Sequence, residues 1–470
     1  MSRTACVIGS GPNGLSAAIV LARAGIRVEV LEAAETPGGA GRTLELTLPG
    51  FLHDVGAAVQ ALGAASLFFN SVPLNKYGVE LVRSPAPIAH PLDDGTAVVL
   101  ERDLYQTKAT LGTDGRAWSM LLRGLVEHWD EVAPDLLRPQ PSVPKHPLLM
   151  ASFGVKAMLP ASVIAKMFSS ERTRALFAGM AGHSLLSFNE PLSGAFALLM
   201  TATAHVDGWP IVRGGSQRLT DALCRYLEAI GGSVKTSSRV DRLTDLPPYD
   251  LILCDITPRQ LLNMAGPRLS PDYKRELARY RYGPGVFKVD YALSAPIPWI
   301  ASECARAATV HLGGTFEEIA ESEKAVVEGK HPERPFVLLV QATLFDPTRA
   351  PGGKHTVWAY CHVPHGSDFD MLPRLEGQIE RFAPGFRELV LARRVSTPKD
   401  LECMNANLVG GAITGGTMDI RQFLFRPTWR HYATSAPDIY ICSSSTPPGG
   451  GVHGMCGYHA AKMALARLSR

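Results

Sequence analysis

The chain has 470 residues, 46% hydrophobic and only 19% charged, with a formal net charge of +3. That length exceeds one ordinary core and predicts two domains, while the near-neutral balance, without basic runs interleaved with aromatics, excludes nucleic acid as a partner. A charged share below the usual value of about a quarter leans towards an apolar ligand cavity or a membrane-facing patch.

Taken in chain order, Ala5–Ile8 is a short apolar run, Gly9, Gly11 and Gly14 follow, and Leu15–Ala24 is an alanine-rich helical pattern closed by Gly25. Arg27–Leu31 then alternates around valines, and Glu32 ends that second strand. Strand, glycine turn, helix, strand and acid make up a dinucleotide fingerprint. Gly9 turns the chain, Gly11 lets backbone approach a pyrophosphate, and Gly14 lets the helix pack on the strand. Glu32 is placed to accept hydrogen bonds from both hydroxyls of an adenosine ribose. The stretch "ETPGGAGRT" that follows belongs to FAD sites rather than nicotinamide sites: Gly38, Gly39 and Gly41 wrap the ribityl-phosphate side and Arg42 offers a permanently charged fork to the pyrophosphate. A fingerprint starting at residue 5 leaves no room for an export signal, so the expectation is a cytoplasmic protein.

From Leu104 to Phe188 the pattern is mostly helical, with proline-rich breaks around Arg138–Pro147. His146–Phe168 mixes apolar residues with lysines, which reads as an interfacial segment giving peripheral membrane contact or as a pair of core helices. The longest uncharged stretches, 175–189 and 191–206, are too short to span a bilayer. Nucleotide-domain grammar then returns: a glycine turn at "WPIVRGGSQ", a helix from Gln217, a strand leading to Val240, and a buried strand Leu251–Cys254 followed by a helix start at Thr257-Pro258. "GVFKVDYALSAPIPW", "ATVHLGG", "PFVLLVQATLF" and "HTVWAYCHV" alternate like strands of an antiparallel or mixed sheet.

The chain closes as it opens. Asp438–Cys442 reads as a buried strand, Ser443–Gly451 as a turn, and His453 onward as a helix. If this turn sits beside the first, Gly449, Gly450, Gly451 and Val452 aim backbone N–H groups and a positive helix end at the flavin pyrimidine edge. Neither a metal nor a thiol site is expected. His355, Cys361, His362 and His365 lie on an alternating strand that puts His355 and Cys361 on the face opposite His362. The eight cysteines never fall as CxxC, which removes the disulfide-reductase branch of flavoproteins.

These residues together resemble the phytoene desaturase-like FAD oxidoreductases, a group of carotenoid desaturases, carotenoid isomerases and retinol saturases. They are most similar to the phytoene-dehydrogenase-related branch labelled pyridine nucleotide-disulfide oxidoreductase domain proteins. The resemblance spans nearly the whole chain through "VIGSGPNGLSAA", "LEAAETPGGAGRT", "FLHDVGA", "AGHS", "WPIVRGGSQRLTDAL", "TPKDLE", "RPTW" and "TPPGGGVHGMCGYHAA". It implies an α/β fold of amine oxidase/phytoene desaturase-like architecture. A Rossmann-like FAD-binding domain, discontinuous in sequence (1–103, 208–265 and 430–470), is expected to join a mixed α+β substrate or cap domain (104–207 and 266–429). It further implies FAD, two-electron exchange, and a hydrophobic, often isoprenoid or polyene, substrate in a long tunnel. By motif, Gly9, Gly11, Gly14, Glu32, Gly39, Arg42, Val240, Gly450, Gly451 and Val452 become cofactor contacts. One departure stands out: the family's "GxGTHPGGG" run is "SSSTPPGGG" here, without its histidine.

Desaturation moves a hydride and a proton, so a base is sought. The candidates are His205, His459 and Tyr458, with His453 and Arg213 beside them; His453 and His459 are six residues apart on one helix, so at most one faces the flavin. No second dinucleotide fingerprint appears, which makes a quinone or oxygen the simpler electron acceptor. Two other readings stay open, a flavin amine oxidase, although such enzymes usually carry a glutamate where Cys442–Ser445 offers none, and a non-enzymatic flavin-bound interaction protein.

Overall fold

The structure is a computed structural model, which describes residues 3–140 and 142–469. Its first layer is a five-stranded, all-parallel sheet in the order Ile439–Ile441, Leu251–Cys254, Thr4–Ile8, Arg27–Leu31, Ser233–Lys235. The two central strands are apolar runs because helices cover both faces of a parallel sheet. On one side lie the helices Pro12–Arg23, Gln217–Ala229 and Met455–Leu468. On the other lie Pro258–Ala265 and Pro271–Ala278, through Leu261, Leu269, Tyr273 and Leu277. First and last helices pack directly: a Cβ at Gly457 would sit 1.8 Å from the Asn13 carbonyl oxygen, so only glycine permits the approach.

The second layer is a seven-stranded mixed sheet in the order Val390–Ser396, Gly285–Leu293, His355–Val363, Val337–Val340, Ala307–Leu312, Ala86–Pro91, Ala97–Leu100. All its pairings are antiparallel except Ala307–Leu312 with Ala86–Pro91. Seven helices from Leu104 to Asp207 cover one face, around a core holding Trp118, Phe168, Phe177 and Trp209. The four alternating segments read from the sequence are strands of this sheet.

Two domain boundaries move. Ala86–Leu100, expected within the first cofactor segment, pairs instead with the seven-stranded mixed sheet, and Gly266–Ala278, expected in the cap, packs beneath the parallel sheet. Between the layers runs a knot of buried charge. Arg349 Nη1 donates to Asp54 (2.7 Å), its Nε to Asp346 (2.9 Å) and its Nη2 to the Val212 carbonyl (2.9 Å). Asp54 in turn accepts from Ser216 N–H, and Asp346 from Gly214 N–H. A buried pair satisfied this completely locks geometry more than it adds stability. The "FLHDVGA" and "WPIVRGGSQ" segments are therefore joints between the two sheet layers.

Candidate functional site: one cavity between the two sheets

A cavity of about 840 Å³ runs from the edge of the parallel sheet to the face of the mixed sheet. Gly9, Gly11, Glu32, Gly39, Arg42, Val240, Gly450, Gly451 and Val452 all line it, so the two glycine turns converge on one space. Gly14 lies behind the wall, where a Cβ would fall 2.0 Å from the Gly9 carbonyl oxygen; its part is helix-to-strand packing.

The local chemistry suits a dinucleotide. The helix Pro12–Arg23 starts at Gly11, which carries no capping side chain; the Gly14 N–H of its first turn is taken by Asp255, and Gly11, Pro12 and Asn13 border the cavity. Glu32 Oε2 accepts from the Ser10 N–H (2.9 Å) and hydroxyl (2.6 Å), and Oε1 accepts from Ala34 N–H (2.9 Å). Oε2 thus has both lone pairs engaged by Ser10, and Oε1 keeps one for a ribose hydroxyl. The Arg42 fork is fixed by its donations to the carbonyls of Gly39 (2.9 Å) and Met404 (2.7 Å). Close walls meet the loops on both sides: a Cβ on Gly11 would reach 2.7 Å from the Asp255 carboxylate, and one on Gly450 would reach 2.8 Å from Thr414. The cradle thus fits FAD by shape, by its glycines and by its ribose-side acid.

The C-terminal turn differs from expectation in one respect. The last helix begins at Met455, and the first free N–H there is taken by His453, whose Nδ1 accepts from Met455 at 3.0 Å. It is the bent loop backbone of Gly450–Val452, not the helix end, that borders the cavity.

The three catalytic candidates do not line the cavity. His205 is buried in the helical layer: Trp118 Nε1 donates to its Nε2 (3.2 Å), so its Nδ1–H donates to the Arg102 carbonyl (3.1 Å), and burial pushes its pKa down to about 4. His459 bonds the Leu137 carbonyl (2.8 Å) and stacks on Tyr432, while Tyr458 packs against Phe68. On the helix Met455–Leu468 the face that packs on Pro12–Arg23 is set by small residues, and the aromatic positions turn elsewhere. Arg213 is on the outside, paired with Glu80.

Groups the sequence reading passed over stand at the cavity instead. Asp255 ends the strand Leu251–Cys254, is 6% exposed and accepts from Gly14 N–H at 2.9 Å; burial pushes its carboxyl up to about 7 against that bond, and Glu32 adds to the rise. Lys288, 3% exposed, borders the other end and donates to Asp290 at 2.7 Å, two residues along the same strand and so on the same face. Burial lowers the lysine and raises the aspartate, which pulls the pair towards sharing one proton without separated charge. Asp290 also stands 3.7 Å from His53 Nδ1. Around Lys288 the wall is apolar and aromatic, with Phe196, Met200, Trp209, Leu338, Trp358 and Tyr360. Two wall residues, Leu185 and Trp209, hold positive φ (53° and 49°), strained for side chains of their size. Trp209 is kept there by its indole donation to Thr203 (3.0 Å).

Residues 7–66 match the family of NAD(P)-binding Rossmann-like domains. Over 99% of this chain and 93% of the relative, the sequence is 26% identical to pyridine nucleotide-disulfide oxidoreductase domain-containing protein 2 of Rattus norvegicus. It is 25% identical to a phytoene desaturase of Fusarium fujikuroi, covering 96% of this chain and 87% of that one. Among solved structures, putrescine oxidase bound to putrescine superposes with a TM-score of 0.63 over 100% of both chains, at 15% identity, and so shares the fold.

Proposed function

We infer that this chain, which belongs with the phytoene desaturase-like FAD-dependent oxidoreductases, carries out a two-electron desaturation, saturation or isomerisation of a lipophilic small molecule held at the apolar end of its cavity. The observation that carries this reading is the continuity of one cavity from the glycine cradle to the aromatic wall around Lys288. FAD, when bound, supplies the hydride exchange.

The chain's own residues do the rest. Glu32 and Arg42 fix the dinucleotide, and the Gly450–Val452 backbone offers N–H donors at the opposite wall. The aromatic wall excludes water and holds an apolar substrate by contact area, worth about 25 cal/mol for each Å² removed from water. Lys288 Nζ is the buried group placed to take up or return the substrate proton, with Asp290 holding the amine in position. An amine substrate is less well served. The acidic residues lining the cavity, Glu32, Asp241 and Asp255, gather at the dinucleotide end, away from the aromatic wall.

The outer surface supports a lipophilic substrate as well. The helices Pro147–Ala157 and Ala161–Ile164 meet at a sharp bend and expose Leu148, Val155, Met158, Val163 and Met167, flanked by exposed Lys145 and Lys166. They pack on the helix Ser193–Asp207, whose Phe196 and Met200 face the cavity. In the described residues no single helix is long and apolar enough to cross a membrane; this face instead rests on a bilayer surface and takes substrate from it. Anaerobic mixing of the FAD-loaded protein with fractionated lipid extracts tests the function. Loss of oxidised-flavin absorbance, with a two-hydrogen mass change in one lipid, is the expected result. Flavin that no fraction reduces, and that after chemical reduction neither is reoxidised by any fraction nor isomerises any lipid at unchanged mass, refutes it.

A further inference from the structure

One polar group at the apolar end of the cavity is not used by the reaction as described. His183, which follows the helix Glu171–Gly182, faces the cavity along one ring edge and is enclosed by protein elsewhere. Its Nε2 lies 3.1 Å from Nε2 of His311, on the strand Ala307–Leu312, and its ring stands edge-on to Trp209 at 5.3 Å. Its Nδ1 has no hydrogen-bond partner among the described residues.

The surroundings of His311 decide which nitrogen carries which proton. His311 is fully buried and its Nδ1 has no partner. That nitrogen is pressed against Gly179: a Cβ there would come within 2.5 Å of it. A lone pair tolerates the glycine Cα–H, whereas an N–H aimed at it would be an orphaned buried donor, the rarer and costlier arrangement. The His311 proton therefore sits on Nε2 and is donated to His183 Nε2. An imidazole that accepts at Nε2 must carry its own proton on Nδ1. Burial keeps both rings neutral, with His183 pushed down to about 3 and His311 lower still.

We propose that the His183–His311 pair presents a fixed hydrogen-bond donor, His183 Nδ1–H, to the apolar end of the cavity, and that it selects lipophilic substrates bearing an oxygen acceptor, a carbonyl or a hydroxyl, over bare hydrocarbons. This rests on the lipophilic-substrate reading above and narrows it. A donor left unpaired in an apolar pocket costs free energy, so a hydrocarbon that covers it binds more weakly than a ketone of the same length. Glycine at 179 is part of the device, because any side chain there would push His311 away.

The test uses the FAD-loaded full chain and two matched probes, 2-tridecanone and tridecane, with binding read from the change in tryptophan emission as water is displaced, to which the cavity residues Trp209 and Trp358 contribute. Wild type is expected to favour the ketone by roughly five- to tenfold, the weight of one neutral hydrogen bond. His183→Phe keeps the ring's bulk but removes the donor, so tridecane should bind more tightly than to wild type and the ketone preference should vanish or reverse. His183→Gln restores a donor and should recover part of the preference, which covers the case in which the phenylalanine variant folds poorly. Equal affinities in wild type, or a ketone preference that survives His183→Phe, overturns the inference alone and leaves lipophilic binding standing. No change in that emission with either probe, while flavin absorbance shows the cofactor in place, overturns the lipophilic reading together with it.

Discussion

Asp255 offers the sharpest physical test of the cradle. Its carboxylate lies under the glycine loop, with its own backbone and Cβ against Gly9 and its Oδ2 on the Gly14 N–H. Burial lifts its pKa from 3.8 to about 7, and Glu32 pushes the same way. A pyrophosphate bound at this loop would raise it further, since it adds like charge. Because the folded value is the higher one, the native state holds a proton that the unfolded chain has lost between about pH 4 and pH 7. The resulting stabilisation is complete below about pH 4 and is lost as pH rises through about 7, with a total near 4 kcal/mol and a slope near 1.4 kcal/mol per pH unit. Asp255→Asn keeps the shape and an acceptor for Gly14 but cannot titrate. Urea unfolding of the FAD-saturated wild type and variant at several pH values removes, by difference, the titrations they share. The stability of wild type minus variant should fall by about 1.4 kcal/mol per unit from pH 5 to pH 7 and level off only above the folded-state pKa, which bound pyrophosphate carries past about 7. A difference that is flat over that range, or that rises with pH, refutes a neutral carboxyl beneath the loop.

Three further outcomes follow from the geometry. Gly14→Ala places a methyl group 2.0 Å from the Gly9 carbonyl, so the purified variant should carry little FAD, as measured by its flavin-to-protein absorbance ratio. Lys288→Met leaves the buried Asp290 without its hydrogen-bond partner and should cost about 1–3 kcal/mol in chemical denaturation. The double variant with Asp290→Asn should regain most of that stability while substrate-driven flavin reduction stays slow, which separates the pair's structural share from its proton handling. Leu148→Glu with Val155→Glu, at side chains 86% and 73% exposed, should change stability by no more than about 0.5 kcal/mol yet release the protein from vesicles of anionic lipid in co-sedimentation. Undiminished sedimentation would remove the bilayer from the account.

What the sequence made legible was what backbone geometry dictates. Gly9, Gly11 and Gly450 are recognisable because no other residue fits a chain that must approach a pyrophosphate or another backbone within van der Waals contact, and the paired glycine turns pointed to one shared space. Side chains placed by tertiary contacts were not legible in the same way. His205 and His459 drew notice by standing near glycine turns in the sequence, but helix phase carried both into packed layers where carbonyls and indoles satisfy them. Ala86–Leu100 alternates as any strand does, and nothing local says that its partner is Ala307–Leu312 rather than the parallel sheet. The residues that matter at the apolar end did leave a trace. In "GVFKVDYAL" two opposite charges stand two apart within a strand buried along its whole length, so they share one face and must answer each other, a pattern that costs too much to persist as mere packing. In "FAGMAGHS" the glycines at 179 and 182 are spaced one helical turn apart, and each clears room for a ring on the sheet below, His311 and Phe336. Read as clearance rather than as helix weakness, those glycines point straight to the histidine that follows them.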